Sequence, residues 1–172
     1  MKFIIRELTK NDLKPGKGFF RTLANLVETK ENIYQRRMKI FKKIKVGRGA
    51  TIKSMSYQKR LKIFKEIKKG HGIVFIAVSQ EKETKGQIIG TVKFIRDRKF
   101  ARGGALAAHL EDLVTRKGYE CQGIAKALWS EFLKRARKLG CYKIILDCPR
   151  EQVPFYRKLG FHEFEICLRL KP

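Results

Sequence analysis

A strand, a turn of small residues and a helix follow one another without a gap in the second half of this chain. Residues 106–114 read as a strand. Tyr119-Glu120-Cys121-Gln122-Gly123-Ile124-Ala125-Lys126 then forms a turn that opens directly into a helix. Ala125, Leu128, Trp129, Phe132, Leu133, Ala136 and Leu139 recur at three- and four-residue steps, and Gly140 is placed to stop the helix. The first N–H groups of a helix lack intrahelical partners, and the helix dipole puts partial positive charge there. With Gly123 and Ala125 leaving room for close approach, this is the geometry of a backbone cradle for a pyrophosphate-like anion. The spacing by itself is a weak signal, because small residues also begin ordinary helices.

The flanking segments predict a mixed α/β domain. Residues 2–7 read as an edge strand. Thr9 and Asp12 look like a helix cap and first turn, followed by a helix broken at Pro15-Gly16 and resumed to about Thr29. The unbroken apolar run 73–78 predicts a buried strand, and 87–95 a long one, with a loop over 96–104. Further on, 143–147 reads as a strand, 151–159 as a short helix and 161–170 as the last strand. An internal near-repeat stands out. Tyr34–Lys45 and Tyr57–Lys68 agree at nine of twelve positions, 23 residues apart. In both copies the apolar residues fall on one helical face and the lysines mostly on the other. The second copy suits a regular helix of the domain. The first, at about 31–53, reads as an inserted basic helix within a single domain spanning 1–172.

Composition narrows the function classes. The chain has 172 residues, 43% of them hydrophobic, enough for one real core. No stretch is apolar enough to span a membrane. The first residues, Met-Lys-Phe-Ile-Ile-Arg-Glu-Leu, meet charge too soon for a secretory signal. Cys121, Cys141, Cys148 and Cys167 lack metal-type spacing. Cys141 and Cys148 bracket a strand and would lie about 20 Å apart when it is extended, so free thiols in a reducing, cytoplasmic setting are expected. Net charge is +25. It would suit nucleic acid, but the lysines are spread over every segment rather than gathered in one arm, which favours a solvated basic surface tolerant of anionic ligands.

The neighbours of the turn carry a resemblance. His109-Leu110-Glu111-Asp112-Leu113 lies upstream. Gly140-Cys141-Tyr142-Lys143-Ile144-Ile145-Leu146-Asp147-Cys148 and Phe155-Tyr156-Arg157-Lys158-Leu159-Gly160-Phe161 lie downstream. Together these segments resemble the GNAT acyl-CoA N-acyltransferases and, within them, the eukaryotic glucosamine 6-phosphate N-acetyltransferases. The resemblance covers 106–161 closely and 12–29 more thinly. It implies the GNAT fold, a mixed central sheet flanked by helices. It also implies acetyl transfer from acetyl-CoA to the amine of D-glucosamine 6-phosphate in a ternary complex, without a metal, as a step toward UDP-N-acetylglucosamine, by a homodimer whose sugar site is shared.

Such a transfer needs a neutral amine, a polarised thioester carbonyl, a stabilised leaving thiolate and two reactants held together. By resemblance, CoA is held by Leu113, Val114 and Thr115 and by Cys121, Gln122, Gly123, Ile124, Ala125 and Lys126. Glu120 stands where the resembled pattern has Gln or Arg. Either it points outward or it weakens CoA binding. Glu111 binds the amine or relays its proton through water, and Asp112 contacts the sugar. Adjacent strand residues point to opposite faces, so this pair is not expected to act as a close dyad. Asp147, at the carboxyl edge of the sheet, orients the amine and can accept its proton; capping the next helix is its alternative role. Tyr156 is the acid for the leaving thiolate, or otherwise a packed aromatic. Lys99, Arg102 and Arg169 are the candidate sugar-phosphate ligands, with Lys171 in reserve. A GNAT enzyme for another amine, protein or small molecule, and a non-catalytic nucleic-acid-binding protein on the same scaffold, are the alternatives.

Overall fold

A computed structural model describes residues 1–26, 55–168 and 170 of the chain. The expected inserted helix at 31–53, Arg169 and Lys171 lie outside the described residues. Among these, five strands form one sheet in the order β1 (Phe3–Glu7), β2 (Ile73–Ser79), β3 (Ile88–Lys99), β4 (Ala105–Thr115) and β5 (Lys143–Ile145). The first four are antiparallel neighbours, and β5 joins β4 in parallel. That parallel pair requires a crossover, which α3 (Ile124–Lys138) supplies.

The all-apolar run of β2 is buried at every position. Its odd-numbered residues Ile73, Phe75 and Ala77 face one core with Leu128 and Phe132 of α3. Its even-numbered residues Val74, Ile76 and Val78 face a second core. That core is closed by Phe19, on the helical segment 19–26 (α1), and by Phe64 of α2 (Tyr57–Lys69). A strand covered on both faces cannot alternate polar and apolar residues, which is why its sequence does not. The buried positions of α3 are Ile124, Leu128, Phe132 and Ala136, one stripe at four-residue spacing. The stripe seats on β3 at Gly90, where a Cβ would come within 2.6 Å of Ile124 Cγ2 and 3.0 Å of Leu128 Cδ1. Gly90 therefore fixes how closely the start of α3 approaches the sheet.

Several expected bounds change. β3 continues through Lys99, because its pairing with β4 runs on to Lys99↔Ala105 and overrides the charged sequence Arg96-Asp97-Arg98. Thr9 and Asp12 do form a reciprocal capping box, but on a 3₁₀ turn, Lys10–Leu13, rather than an α-helix. Residues 151–159 split into a 3₁₀ turn, Arg150–Gln152, and the short α4 (Val153–Arg157), with Pro154 in its first turn. β5 ends at Ile145, two residues before Asp147. The last strand expected at 161–170 does not form over its described residues 161–168. Residues 161–168 carry no strand pairing, and Phe164, Ile166 and Leu168 are 78–90% exposed.

Candidate active site

The site is defined by where β4 and β5 part. They pair only at Ala107↔Lys143, Ala108↔Ile144 and His109↔Ile145. Beyond this β4 continues to Thr115 with β3 on one side and no strand on the other among the described residues. Every peptide unit carries a donor and an acceptor, so the backbone of residues 110–115, which includes Leu113, Val114 and Thr115, presents an edge to which an extended ligand arm can add. At the end of that edge the chain turns through residues 116–123 into α3.

The turn has the conformation of an anion cradle. Cys121 and Gly123 both take left-handed backbone angles, φ +59° and +79°. Gly123 is the N-cap of α3, has no side chain to satisfy the first-turn N–H groups, and is followed by no acidic residue in that turn. Gln122 and Lys126 are exposed beside it, while Ile124 is buried and anchors it. Arg116 stiffens the turn from below. It is 8% exposed, its Nη1 donates to Gln87 Oε1 at 3.3 Å and to the Ile88 carbonyl at 3.4 Å, and its guanidinium lies 5.9 Å from the Tyr119 ring centroid. Glu120 turns back on its own loop, where its Oε2 accepts from the Gly118 N–H at 2.6 Å. Glu120→Gln retains an oxygen for that bond and removes a charge near the cradle. One unit charge at 4 Å in water is worth about 1 kcal/mol, so CoA should bind up to about fivefold tighter, measured by calorimetric titration. Weaker binding would mean that the cradle uses the carboxylate.

Asp147 reaches the gap from the β5 side, and Tyr156 lies in α4, which follows it. Asp147 is exposed, and its Oδ2 lies 3.7 Å from His109 Nε2 on β4, an ion-pair distance rather than a hydrogen bond. It caps no helix. Pro149 precedes the 3₁₀ turn and Gln152 precedes α4. Tyr156 is buried, with its ring edge-on to Phe155 at 5.1 Å and to Phe161 at 5.8 Å. Burial, with a smaller contribution from the Cys148 thiol, pushes its phenol up to about 12. Burial likewise raises the thiols of Cys141 and Cys148. All four cysteines are free.

Glu111 and Asp112 depart from the expected geometry. Between Thr91↔Val114 and Lys93↔Glu111 the register slips by one residue, so Asp112 and Leu113 both stand opposite Val92. This is a β-bulge, and Asp112 takes φ +52° within it. The alternation of side chains is broken, and both carboxylates reach one cation. Lys93 Nζ lies 2.6 Å from Glu111 Oε2 and 3.2 Å from Asp112 Oδ2. The expectation that the two point to opposite faces is therefore corrected.

Of the candidate phosphate ligands, the two within the described residues are not gathered here. Lys99 and Arg102 sit at the far end of β3 and in the loop after it, six residues along the strand from Lys93, or about 20 Å. Lys99 pairs with Asp97, and the Arg102 guanidinium lies 5.9 Å from the Tyr142 ring centroid. Within one chain neither can hold the phosphate of an acceptor whose amine lies near Glu111. Sequence reasoning passed over Lys93 and gave His109 no role. The sign of Lys93 as a charged residue between the buried apolar Val92 and Phe94 was present, but its partner could be read only from the register.

Known proteins are similar to this chain in sequence and in fold. A glucosamine 6-phosphate N-acetyltransferase from Trypanosoma brucei brucei is 41% identical over 85 residues, covering 49% of this chain and 58% of that protein. One from Arabidopsis thaliana is 34% identical over 79 residues, covering 46% and 53%. The chain thus spans little more than half the length of these relatives. A crystal structure of a Trypanosoma brucei acetyltransferase superposes with a TM-score of 0.77 at 26% identity, covering 99% of this chain and all of that one. With residues 38–161, most of its length, matching the acetyltransferase (GNAT) family, the chain belongs to that family.

Proposed function

We propose that the protein transfers the acetyl group of acetyl-CoA to the amine of D-glucosamine 6-phosphate, giving N-acetylglucosamine 6-phosphate for the synthesis of UDP-N-acetylglucosamine in the cytoplasm. The observation that carries this is the opening of β4 away from β5, with a backbone cradle at one end and Asp147 on its flank. The names of the relatives support the acceptor.

The pantetheine arm adds to the free edge of residues 110–115, and the pyrophosphate rests on the first-turn N–H groups of α3. Asp147 orients the acceptor amine and takes its proton. The amine nitrogen attacks the thioester carbon, so a C–N bond forms and the C–S bond breaks. Tyr156 faces the departing sulfur. A phenol near 12 does not give up its proton to a thiol of ordinary value, about 8.5, so Tyr156 stabilises the thiolate by donating a hydrogen bond. The thiolate then takes its proton from solvent.

The active assembly in this reading is a homodimer. Residues 161–168 alternate the charged Glu163 and Glu165 with exposed Phe164, Ile166 and Leu168, the pattern of a strand without a neighbour, and such a row calls for cover by another chain. A second copy also offers a source of cations for the sugar phosphate, which Lys99 and Arg102 of the same chain lie too far away to hold. Light scattering should give twice the 20.1 kDa chain mass. The acceptor is tested by CoA release with glucosamine 6-phosphate, free glucosamine, spermidine and a peptide amine. A charge-assisted contact is worth about 1.5–3 kcal/mol, so kcat/KM should favour the phosphorylated sugar over glucosamine at least tenfold. Equal rates would remove the phosphate from the reading, and a preference for spermidine or peptide would replace the acceptor altogether.

A further inference from the structure

Lys93 takes no part in the transfer chemistry, yet it contacts both Glu111 and Asp112. It lies directly across from Glu111 in the β3–β4 register. Its side chain is 20% exposed, while those of Glu111 and Asp112 are 37% and 33% exposed. The carboxylates thus keep a solvent-facing side, and the ammonium lies beneath them. Asp112 holds a left-handed backbone conformation that non-glycine residues seldom adopt. The bulge that imposes it is what turns Asp112 toward Lys93. Two adjacent carboxylates on one face repel each other unless a cation stands between them. Burial pulls the Lys93 ammonium down, but its hydrogen bond to Glu111 and the charges of Asp112 and Glu111 outweigh this, so it stands above its ordinary value.

Its position relates it to the acceptor. Glu111 is two residues along β4 from His109, hence on the same face of the strand, and His109 reaches Asp147 across the gap. An amine oriented by Asp147 arrives as an ammonium ion before it loses its proton, and a fixed anionic group beside the gap favours that arrival.

We propose that Lys93 is a positioning residue for acceptor binding: by gripping Glu111 and Asp112 together across the bulge, it holds them as one anionic unit aimed at the cationic amine of the acceptor. This rests on the acetyltransferase reading of the site, but not on the identity of the acceptor. It accounts for a half-buried lysine on a strand that is otherwise apolar at its neighbouring positions Val92 and Phe94, and for a bulge with a strained aspartate at the point where β4 leaves β5 behind.

The test uses the full-length protein and whichever amine of the acceptor panel the wild type acetylates best, so failure of the sugar-phosphate assignment leaves it intact. Lys93→Met keeps the length of the side chain and removes the charge. It should raise the acceptor KM at least tenfold, while the dissociation constant for acetyl-CoA stays within twofold. Lys93→Arg should restore KM to within about threefold of wild type, since a guanidinium can bridge two carboxylates. The decisive readout is a double-mutant cycle. In a Glu111→Gln background, Lys93→Met should change the acceptor KM by less than threefold, because the lysine acts through the carboxylate. If Lys93→Met proves too unstable to purify, Lys93→Gln enters the same cycle. An unchanged acceptor KM, an equal loss in both backgrounds, or a parallel loss of acetyl-CoA affinity would each overturn the proposal.

Discussion

Tyr156→Phe should lower kcat by about 10²–10³ and leave acetyl-CoA binding nearly unchanged. Removing one donor preorganised toward developing negative charge costs about this much in other enzymes, and phenylalanine retains the ring that packs on Phe155 and Phe161. The position of the phenol near 12 sets the pH dependence. The useful form is the protonated one, which is full below about pH 11 and is lost only as pH rises through about 12. Between pH 7 and 10 the ratio of wild-type to variant kcat should therefore stay constant. Single-turnover measurements across this range isolate the chemical step. A ratio that shrinks already at pH 9 would mean that the phenol is not desolvated in the working enzyme. A kcat equal to wild type, with chemistry rate-limiting, would reduce Tyr156 to a core aromatic.

Asp147→Asn should lower kcat/KM for the acceptor by about 10²–10⁴, the usual range for loss of a positioned proton acceptor. The amide preserves the shape of the side chain but carries no charge for an ammonium ion and accepts no proton. Asp147 is exposed and caps neither following helix, so this loss should come without a change in melting temperature. That separation is the check. A variant that loses activity and stability together would point to a structural role, and one that retains full activity would leave the amine proton to another group. Because Asp147 follows β5 while the cradle lies at the start of α3, the acetyl-CoA dissociation constant should not move.

The two variants probe opposite ends of one reaction coordinate. Tyr156 meets charge that appears on sulfur, and Asp147 meets charge that leaves nitrogen. Their effects should therefore appear in different kinetic terms. The tyrosine variant should be deficient at saturating acceptor, whereas the aspartate variant should be further impaired at low acceptor concentration, where binding of the ammonium form also counts.

What could be read along the chain concerns short-range order. The segment from β4 through the turn and α3 to β5 was legible because each element carries its own period or its own small residues. Gly123 permits the left-handed cap, and the α3 stripe shows at three- and four-residue steps. The run 73–78 declared a strand buried on both faces. Asp147 and Tyr156 were identified as residue types in recognisable surroundings, and Asp147 stands within reach of His109 on β4.

Tertiary structure alone decided the relations between distant residues. The slip opposite Val92 moves Asp112 onto the face of Glu111, and no local signal marks it, since a bulge depends on how two strands meet. Lys93 and Glu111 are 18 positions apart in sequence, and only their register makes them partners. Lys99 and Arg102 have the right charge for a phosphate, but the length of β3 carries them to the wrong end of the strand. Residues 161–168 have the alternation of a strand, yet a strand exists only when another chain segment supplies its hydrogen bonds, and none within the described residues does so. Sequence by itself determined the elements from β2 through β5 that carry their own period, and which chemical groups are available. The pairing of β3 with β4, and the early end of β5, determined which of those groups meet, because contacts across a sheet depend on register and strand length rather than on the residues at any one position.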